Sequence, residues 1–497
     1  MGAILAQKFG RTAETDGFLA AYGVYLVLVL AAQSFRMVVV PELTRAAEER
    51  RLGAETIGYL VSFALLAAAA SALVIALRHP LGEAITGSLP ERSAEVAAEA
   101  LAYLVPAAFA QLVAALAASA LAARDEYEIA AVAYAAGGVA GLILFVLLAD
   151  AHGTIALAWA AVLNGGLTFG IPLVALLVRG DLGPRVGLGR HRPVNADGGA
   201  NESRETHVRV AWLASGARGG GGVRLRPGRR LWRLVEGSAV PIAIQGLYLV
   251  CLRFAADLGI GKVTSLSYAY LLAAVFVAVT AASVALVSSA PLTRRGLNAE
   301  AAAAHVVHAS WLSLALIAAA AGVFALVGSR VVGAVLGDAF AGDVGRELGR
   351  LVVYLAPWMF ASVAFTLAFP LVFVVGRHAV LVPLALGAVA VHVPLTWGLR
   401  EAFRMPGIAL ALALSTFLVL GALLLALSPR VLGLAALGLG RLAVIEASLA
   451  AASFGLLALV VGGIPAAVIG LLVYASLILA WRPRGLREAW AYVRALH

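Results

Sequence analysis

Asp16, Arg36, Arg253, Asp257, His392 and Glu446 are ionisable side chains in or at the ends of stretches that are otherwise apolar. An ionised group in hydrocarbon is costly unless it meets protein, water or a counter-charge, so each is a functional candidate by default. Arg253 and Asp257 are four residues apart and share one face of a helix. A guanidinium held by a carboxylate can grip a phosphate with two parallel hydrogen bonds. The same pair could also simply neutralise itself near the end of its helix, and the spacing leaves both readings open. Arg36 could contact an anion or snorkel toward headgroups. Asp16 follows Thr15 at the start of its stretch, where it could cap that helix or act at an outer gate. Glu446 and Arg441 lie near the cytoplasmic end of the stretch 439–462, where they read as a structural ion pair or as snorkelled groups, with Glu446 also a candidate coupling group. His392 titrates near neutral pH, so it is a proton-coupling candidate or a hydrogen-bonded structural histidine.

These residues need a scaffold, and the composition says which kind. Of 497 residues, 62% are hydrophobic and 13% charged, with mean hydropathy +0.96. A soluble domain carries about 45–50% apolar and about 25% charged residues. A water-soluble enzyme and a disordered chain are therefore both excluded, and apolar runs long enough to span a bilayer recur along the whole length. No stretch of alternating polarity suggests a transmembrane barrel. The expected class is an all-α polytopic membrane protein. The lone Cys251 rules out an internal disulfide and a cysteine-rich metal site. There is no Walker-type phosphate loop, and His305-x-x-His308 lacks a third metal ligand nearby. No cofactor, no metal and no enzymatic activity are expected.

Thirteen spans are predicted, roughly at 17–40, 54–77, 95–122, 127–149, 153–178, 234–257, 263–290, 299–327, 348–375, 379–399, 406–427, 439–462 and 464–481. Residues 1–9 read as the end of a helix whose first half is missing, so Met1 is not expected to be the start of the ancestral fold. Pro106, Pro172, Pro241, Pro357, Pro370, Pro383 and Pro394 are expected to interrupt helices. The basic excess, net charge +10, reads as topology rather than nucleic-acid binding. It concentrates in 179–233, which reads as a flexible cytoplasmic linker and places the C-terminus in the cytoplasm. The expected units are an N-terminal membrane lobe at 1–178, this linker, a C-terminal lobe at 234–427, and two extra helices with a tail at 428–497.

A shift of 250 residues pairs Pro41, followed by Glu-Leu-Thr-Arg, with Pro291, followed by Leu-Thr-Arg. Two similar halves joined by a linker is an architecture many transporters use. Several segments then resemble one family in order and spacing. Phe9-Gly10-Arg11-Thr12 through Tyr22 resembles the start of the second helix of MurJ (MviN)-type lipid II flippases, which belong to the multidrug/oligosaccharidyl-lipid/polysaccharide (MOP) exporter superfamily. Val39-Val40-Pro41, Ala156–Ala161, Gly261–Ala269, Ala290-Pro291-Leu-Thr and Phe373–Pro383 resemble further motifs of that family. The resemblance covers nearly the whole chain.

That resemblance implies two six-helix lobes around a central cavity plus two C-terminal helices, with the first helix truncated here. It implies a flippase moving a polyprenyl-linked glycan across the bacterial cytoplasmic membrane by alternating access. Membrane lipids and cell-envelope glycan-assembly proteins are the implied partners. The family's paired arginines of the second helix fall near Val29 and Leu30 here, and a basic position of its eighth helix falls within Tyr270-Leu271-Leu272. Arg36, two turns beyond Val29, and Arg253 are then the basic groups left to meet a pyrophosphate. Asp16 matches the family's aspartate. The late spans, with Glu446, can form a lipid-tail groove in the superfamily. Two alternatives stand beside this reading: an exporter of small cationic or amphipathic compounds, and a non-transporting scaffold for glycan assembly.

Overall fold

The computed structural model describes residues 1–48, 51–122, 124, 126–178, 227–278, 280 and 298–481. Side chains at 31–38, 40–42, 44, 45, 47, 48, 227–231, 233, 234 and 481 lie outside that description. So Arg36 is placed by its backbone alone, and residues 179–226 of the expected linker are not described.

Seven helices form the first lobe: α1 (Gly2–Phe9), α2 (Ala13–Glu48), α3 (Leu52–Ala76), α4 (Arg78–Thr86), α5 (Glu91–Ala122), α6 (Tyr127–His152) and α7 (Ile155–Val178). The second lobe holds α8 (Pro227–Ala256), α9 (Lys262–Val277), α10 (Ala299–Leu336), α11 (Gly342–Tyr354), α12 (Ala356–Val375), α13 (Leu381–Phe403) and α14 (Met405–Leu427). Beside it lie α15 (Pro429–Ala450), which runs through a π turn at Ala451–Gly455 into α16 (Leu456–Val460), and α17 (Gly463–Trp481). No strand occurs among the described residues.

Twelve of these helical segments are long and apolar enough to cross a membrane, and α9 is a shorter apolar helix. Twelve of the thirteen predicted spans coincide with these segments; of the span at 263–290, α9 covers the part to Val277, and 281–290 lie outside the described residues. The basic end of the expected linker is helical, because α8 begins at Pro227, where a proline suits a first helical turn. The prolines behave differently from expectation. Pro106, Pro172, Pro241, Pro370 and Pro394 lie inside continuous helices, and Pro357 sits in the first turn of α12. Neighbouring helices in a membrane protein re-satisfy the backbone that proline frees.

Within the first lobe, α5 is the hub, packing on α2, α3, α4 and α7. In the second, α10 packs on α11, α12, α15 and α17, while α8 packs on α13 and α14. The lobes meet where α2 lies along α8 and touches α9. One apolar core crosses that boundary, from Phe18 and Leu101 to Leu247, Leu252 and Leu412. Close approach is set by small residues: a Cβ on Gly23 of α2 would lie 2.7 Å from Leu252 of α8. The C-terminal helices are tied on by Phe454, whose ring fills the space above two glycines. A Cβ on Gly322 of α10 would lie 2.3 Å from that ring, and one on Gly470 of α17 would lie 2.7 Å from it.

Candidate functional site

The two lobes are joined by a polar seam at the end of the bundle where α1 turns into α2 and α8 into α9. Both corners are glycine turns followed by a basic residue, Gly10-Arg11 and Gly261-Lys262. Arg11 Nε and Nη2 donate to the Gly261 carbonyl at 3.1 and 2.9 Å. Gly261 has φ +81, and a Cβ there would stand 2.8 Å from the Arg11 guanidinium, so the position favours glycine twice over. Glu347 of α11 joins both corners, at 2.7 Å from Lys262 and 3.9 Å from Arg11. Nearby, Gln7 of α1 donates to the Val335 carbonyl of α10 at 3.2 Å.

Asp16 sits at the centre of this seam and is fully buried. It does not cap its own helix. That role belongs to Thr12, whose hydroxyl accepts the Thr15 N–H at 3.2 Å. One turn into α2, the Asp16 carboxyl reaches across the boundary. Its Oδ1 accepts the Thr264 N–H at 2.8 Å and the Thr264 hydroxyl, and its Oδ2 accepts the Gly261 N–H. It therefore caps α9 from the opposite lobe. Free N–H groups and the positive end of the helix dipole both favour a carboxylate there.

A second polar cluster closes the rim of the same end. Arg253 lies in the last turn of α8, where its side chain is 40% exposed. It donates to Asp257 Oδ1 at 2.6 Å, as the i,i+4 spacing predicted. Sequence spacing did not reveal the other partners. Ser88 of the α4–α5 turn donates to Asp257 Oδ1 at 3.1 Å, and Arg400 of α13 donates to Oδ2 at 2.7 Å. Burial pushes the Asp257 carboxyl up, but hydrogen bonds from Arg253, Ser88 and Arg400 outweigh it and hold the group below its ordinary value. The Arg253 guanidinium lies over Gly87, where a Cβ would come within 2.3 Å of Cζ. Gly87 also has φ +60. The cluster thus joins the first lobe's α4–α5 turn to two helices of the second lobe.

The remaining candidates lie elsewhere in the second lobe. His392 is fully buried between α8, α13 and α14. Its Nε2 lies 3.0 Å from the Leu247 carbonyl, its Nδ1 lies 2.8 Å from the Ser415 hydroxyl, and Cys251 Sγ is 3.5 Å from Nε2. A carbonyl only accepts, so Nε2 carries a hydrogen, while the Ser415 hydroxyl can either donate to Nδ1 or accept from it. Both ring nitrogens are engaged. Glu446 is buried on α15 and pairs with Tyr474 of α17, not with Arg441, which is exposed. Five residues turn a helix by about 140°, so Arg441 faces away from Glu446.

Glu446 lines a cavity of about 800 Å³ between α10, α12, α14 and α15. Every other lining residue is apolar, among them Ile317, Phe360, Leu420, Leu439 and Phe454. Sequence reasoning anticipated a groove at the late spans only through family resemblance, because the cavity's walls come from five separate helices, α11 contributing Val353, and the π turn. No group of three or more metal-ligating side chains occurs among the described residues.

No family model matches the chain, and no curated protein matches it either. Solved structures do. The chain is similar to the lipid II flippase MurJ in an inward closed conformation, at 13% identity and TM-score 0.66, covering 97% of this chain and 96% of that one. It is also similar to an inward-facing multidrug resistance MATE family transporter of the MOP superfamily, at 14% identity and TM-score 0.58, with 89% and 99% covered. The fold is that of the MOP-superfamily transporters. A third similar structure, a MOP-superfamily transporter from Pyrococcus furiosus, has 12% identity and TM-score 0.55, with 87% and 88% covered. At these identities the likeness concerns architecture: an all-helical, multi-pass bundle that both flippases and drug transporters use.

Proposed function

We propose that this chain moves a polyprenyl-linked glycan across a bacterial cytoplasmic membrane by alternating access, with its C-terminus in the cytoplasm. The observation that carries the reading is the apolar cavity beside α15. Its walls offer a hydrocarbon chain continuous van der Waals contact and offer a sugar headgroup a single carboxyl. The likeness to a lipid II flippase supports a lipid-linked substrate. The seam of Asp16, Arg11, Glu347, Arg253 and Asp257 supports a gate that is shut at one end. In this reading Arg36 on α2 meets the diphosphate, and Arg253 with Asp257 releases the headgroup when the seam opens.

A second reading is favoured by Glu446 itself. A carboxyl in an apolar cavity also suits a lipophilic cation, as a small-molecule exporter would need. One experiment separates the two. Purified protein is reconstituted in liposomes with a fluorescent polyprenyl-diphosphate disaccharide, and transfer between leaflets is read by dithionite quenching. Protein-dependent transfer that Ala443→Trp abolishes, by filling the cavity, is the expected result. Uptake of tetraphenylphosphonium without transfer of the lipid would give the exporter reading instead.

A further inference from the structure

We propose that Glu446 is a proton-binding site whose occupancy is linked to the presence of a hydrocarbon chain in the apolar cavity. This rests on the reading above only in taking the occupant to be an isoprenoid chain.

The hydrogen-bond geometry carries the proposal. The Tyr474 hydroxyl has two acceptors within reach, the Ala315 carbonyl of α10 at 3.0 Å and Glu446 Oε2. A hydroxyl has one hydrogen to give. If Glu446 is a carboxylate, only one of these contacts is a hydrogen bond. If it is a carboxylic acid, its own hydrogen goes to Tyr474, Tyr474 donates to Ala315, and both contacts are used. The other oxygen, Oε1, is buried and has no hydrogen-bond partner, on a residue that is 4% exposed.

The cavity then sets the cost of each protonation state. Glu446 lines the cavity, so water there stabilises a carboxylate through the high dielectric beside it, although Oε1 itself is buried. With hydrocarbon there instead, the ionic charge loses that support while Oε1 still has no donor, which is far costlier than burying a neutral carbonyl oxygen. A chain entering the cavity therefore draws one proton from water onto Glu446, and loss of that proton weakens the hold on the chain. The surroundings contain little that could interfere. Residues lining the cavity from α10, α12, α14 and the π turn are apolar. Tyr474 is the titratable group on α17 that touches Glu446, and Arg441 lies on the opposite side of α15. The π turn that starts five residues after Glu446 fits this role, because such turns concentrate at functional sites.

The test uses the full-length protein in nanodiscs and a fluorescent, uncharged isoprenoid alcohol, so that no headgroup titrates. Binding is measured as a function of pH. For the wild type, affinity should fall by up to about tenfold per pH unit above a midpoint, the slope of one linked proton. Glu446→Gln should bind at every pH with the affinity the wild type shows at low pH. Calorimetry of the wild type in two buffers of different ionisation enthalpy should show uptake of one proton per chain bound above the midpoint, which needs no variant. Binding that is independent of pH with no proton uptake, or a pH slope that survives in Glu446→Gln, overturns the proposal and leaves the chain-binding reading standing. Failure of the wild type to bind the alcohol at any pH overturns both.

Discussion

Asp16 Oδ1 accepts the Thr264 N–H at 2.8 Å, joining two helices that lie 248 residues apart in the chain. A side chain of one lobe therefore completes the first turn of a helix in the other, and the two lobes cannot part at this end without exposing unpaired donors. Each hydrogen bond to a charged group is worth roughly 1.5–3 kcal/mol. Asp16→Ala should thus raise hydrogen exchange at the Gly261 and Thr264 amides at least about tenfold, with Asp16→Asn in between. Unchanged exchange across 259–266 would mean that the seam does not depend on this carboxyl.

The rim cluster should respond to acid in one direction. Asp257 has its folded value held down by its partners. Its contribution is therefore complete above the unfolded value near 4, and is lost as pH falls through the lower folded value. Asp257→Asn should lower the thermal midpoint at pH 7, and the difference from wild type should shrink below about pH 4. A difference that persists undiminished at pH 3 would point to packing rather than charge.

Gly87 and Arg253 should behave as a coupled pair. Gly87→Ala meets a backbone at φ +60, which costs about 1–2 kcal/mol for a residue with a Cβ, and also displaces the guanidinium 2.3 Å away. With Arg253→Ala already made, the second cost disappears and the first remains. A thermal-unfolding double-mutant cycle should therefore be non-additive, with the double variant more stable than the sum of the singles predicts. Strict additivity would show that Arg253 swings away freely.

Arg404, between α13 and α14, is the one non-glycine residue at positive φ among the described residues, at φ 57. Arg404→Gly should raise stability, by about 1 kcal/mol at most, since glycine adopts this backbone without a Cβ clash. A chemical-denaturation midpoint that falls instead would show that the exposed arginine side chain contributes more than the turn costs.

The spans were legible because hydropathy is a local signal, and the start of α9 was placed by its flanking Gly261 and Lys262. The seam was half legible. Asp16 stood out by its position and Arg253–Asp257 by spacing, yet the partners Thr264, Ser88 and Arg400 lie on other helices, and no periodicity links them. The cap reading offered for Asp16 looked to its own helix because sequence shows neighbours along the chain and not across it. Glu446 was matched to Arg441 for the same reason, while its actual partner, Tyr474, is on a different helix. His392 was visible as a candidate, but its engagement at both ring nitrogens became clear only from the Leu247 carbonyl and the Ser415 hydroxyl on either side of it.

Phe454 bears on how this sequence can drift. Its ring occupies the space that side chains at 322 and 470 would need. The three positions therefore share one fixed volume, contributed by three different helical segments. A methyl group gained at either glycine has to be offset by a smaller residue at 454, and the bulky ring can be inherited only alongside both glycines. Descendants of this chain should show correlated exchange at 322, 454 and 470, while the lipid-facing residues between them vary independently.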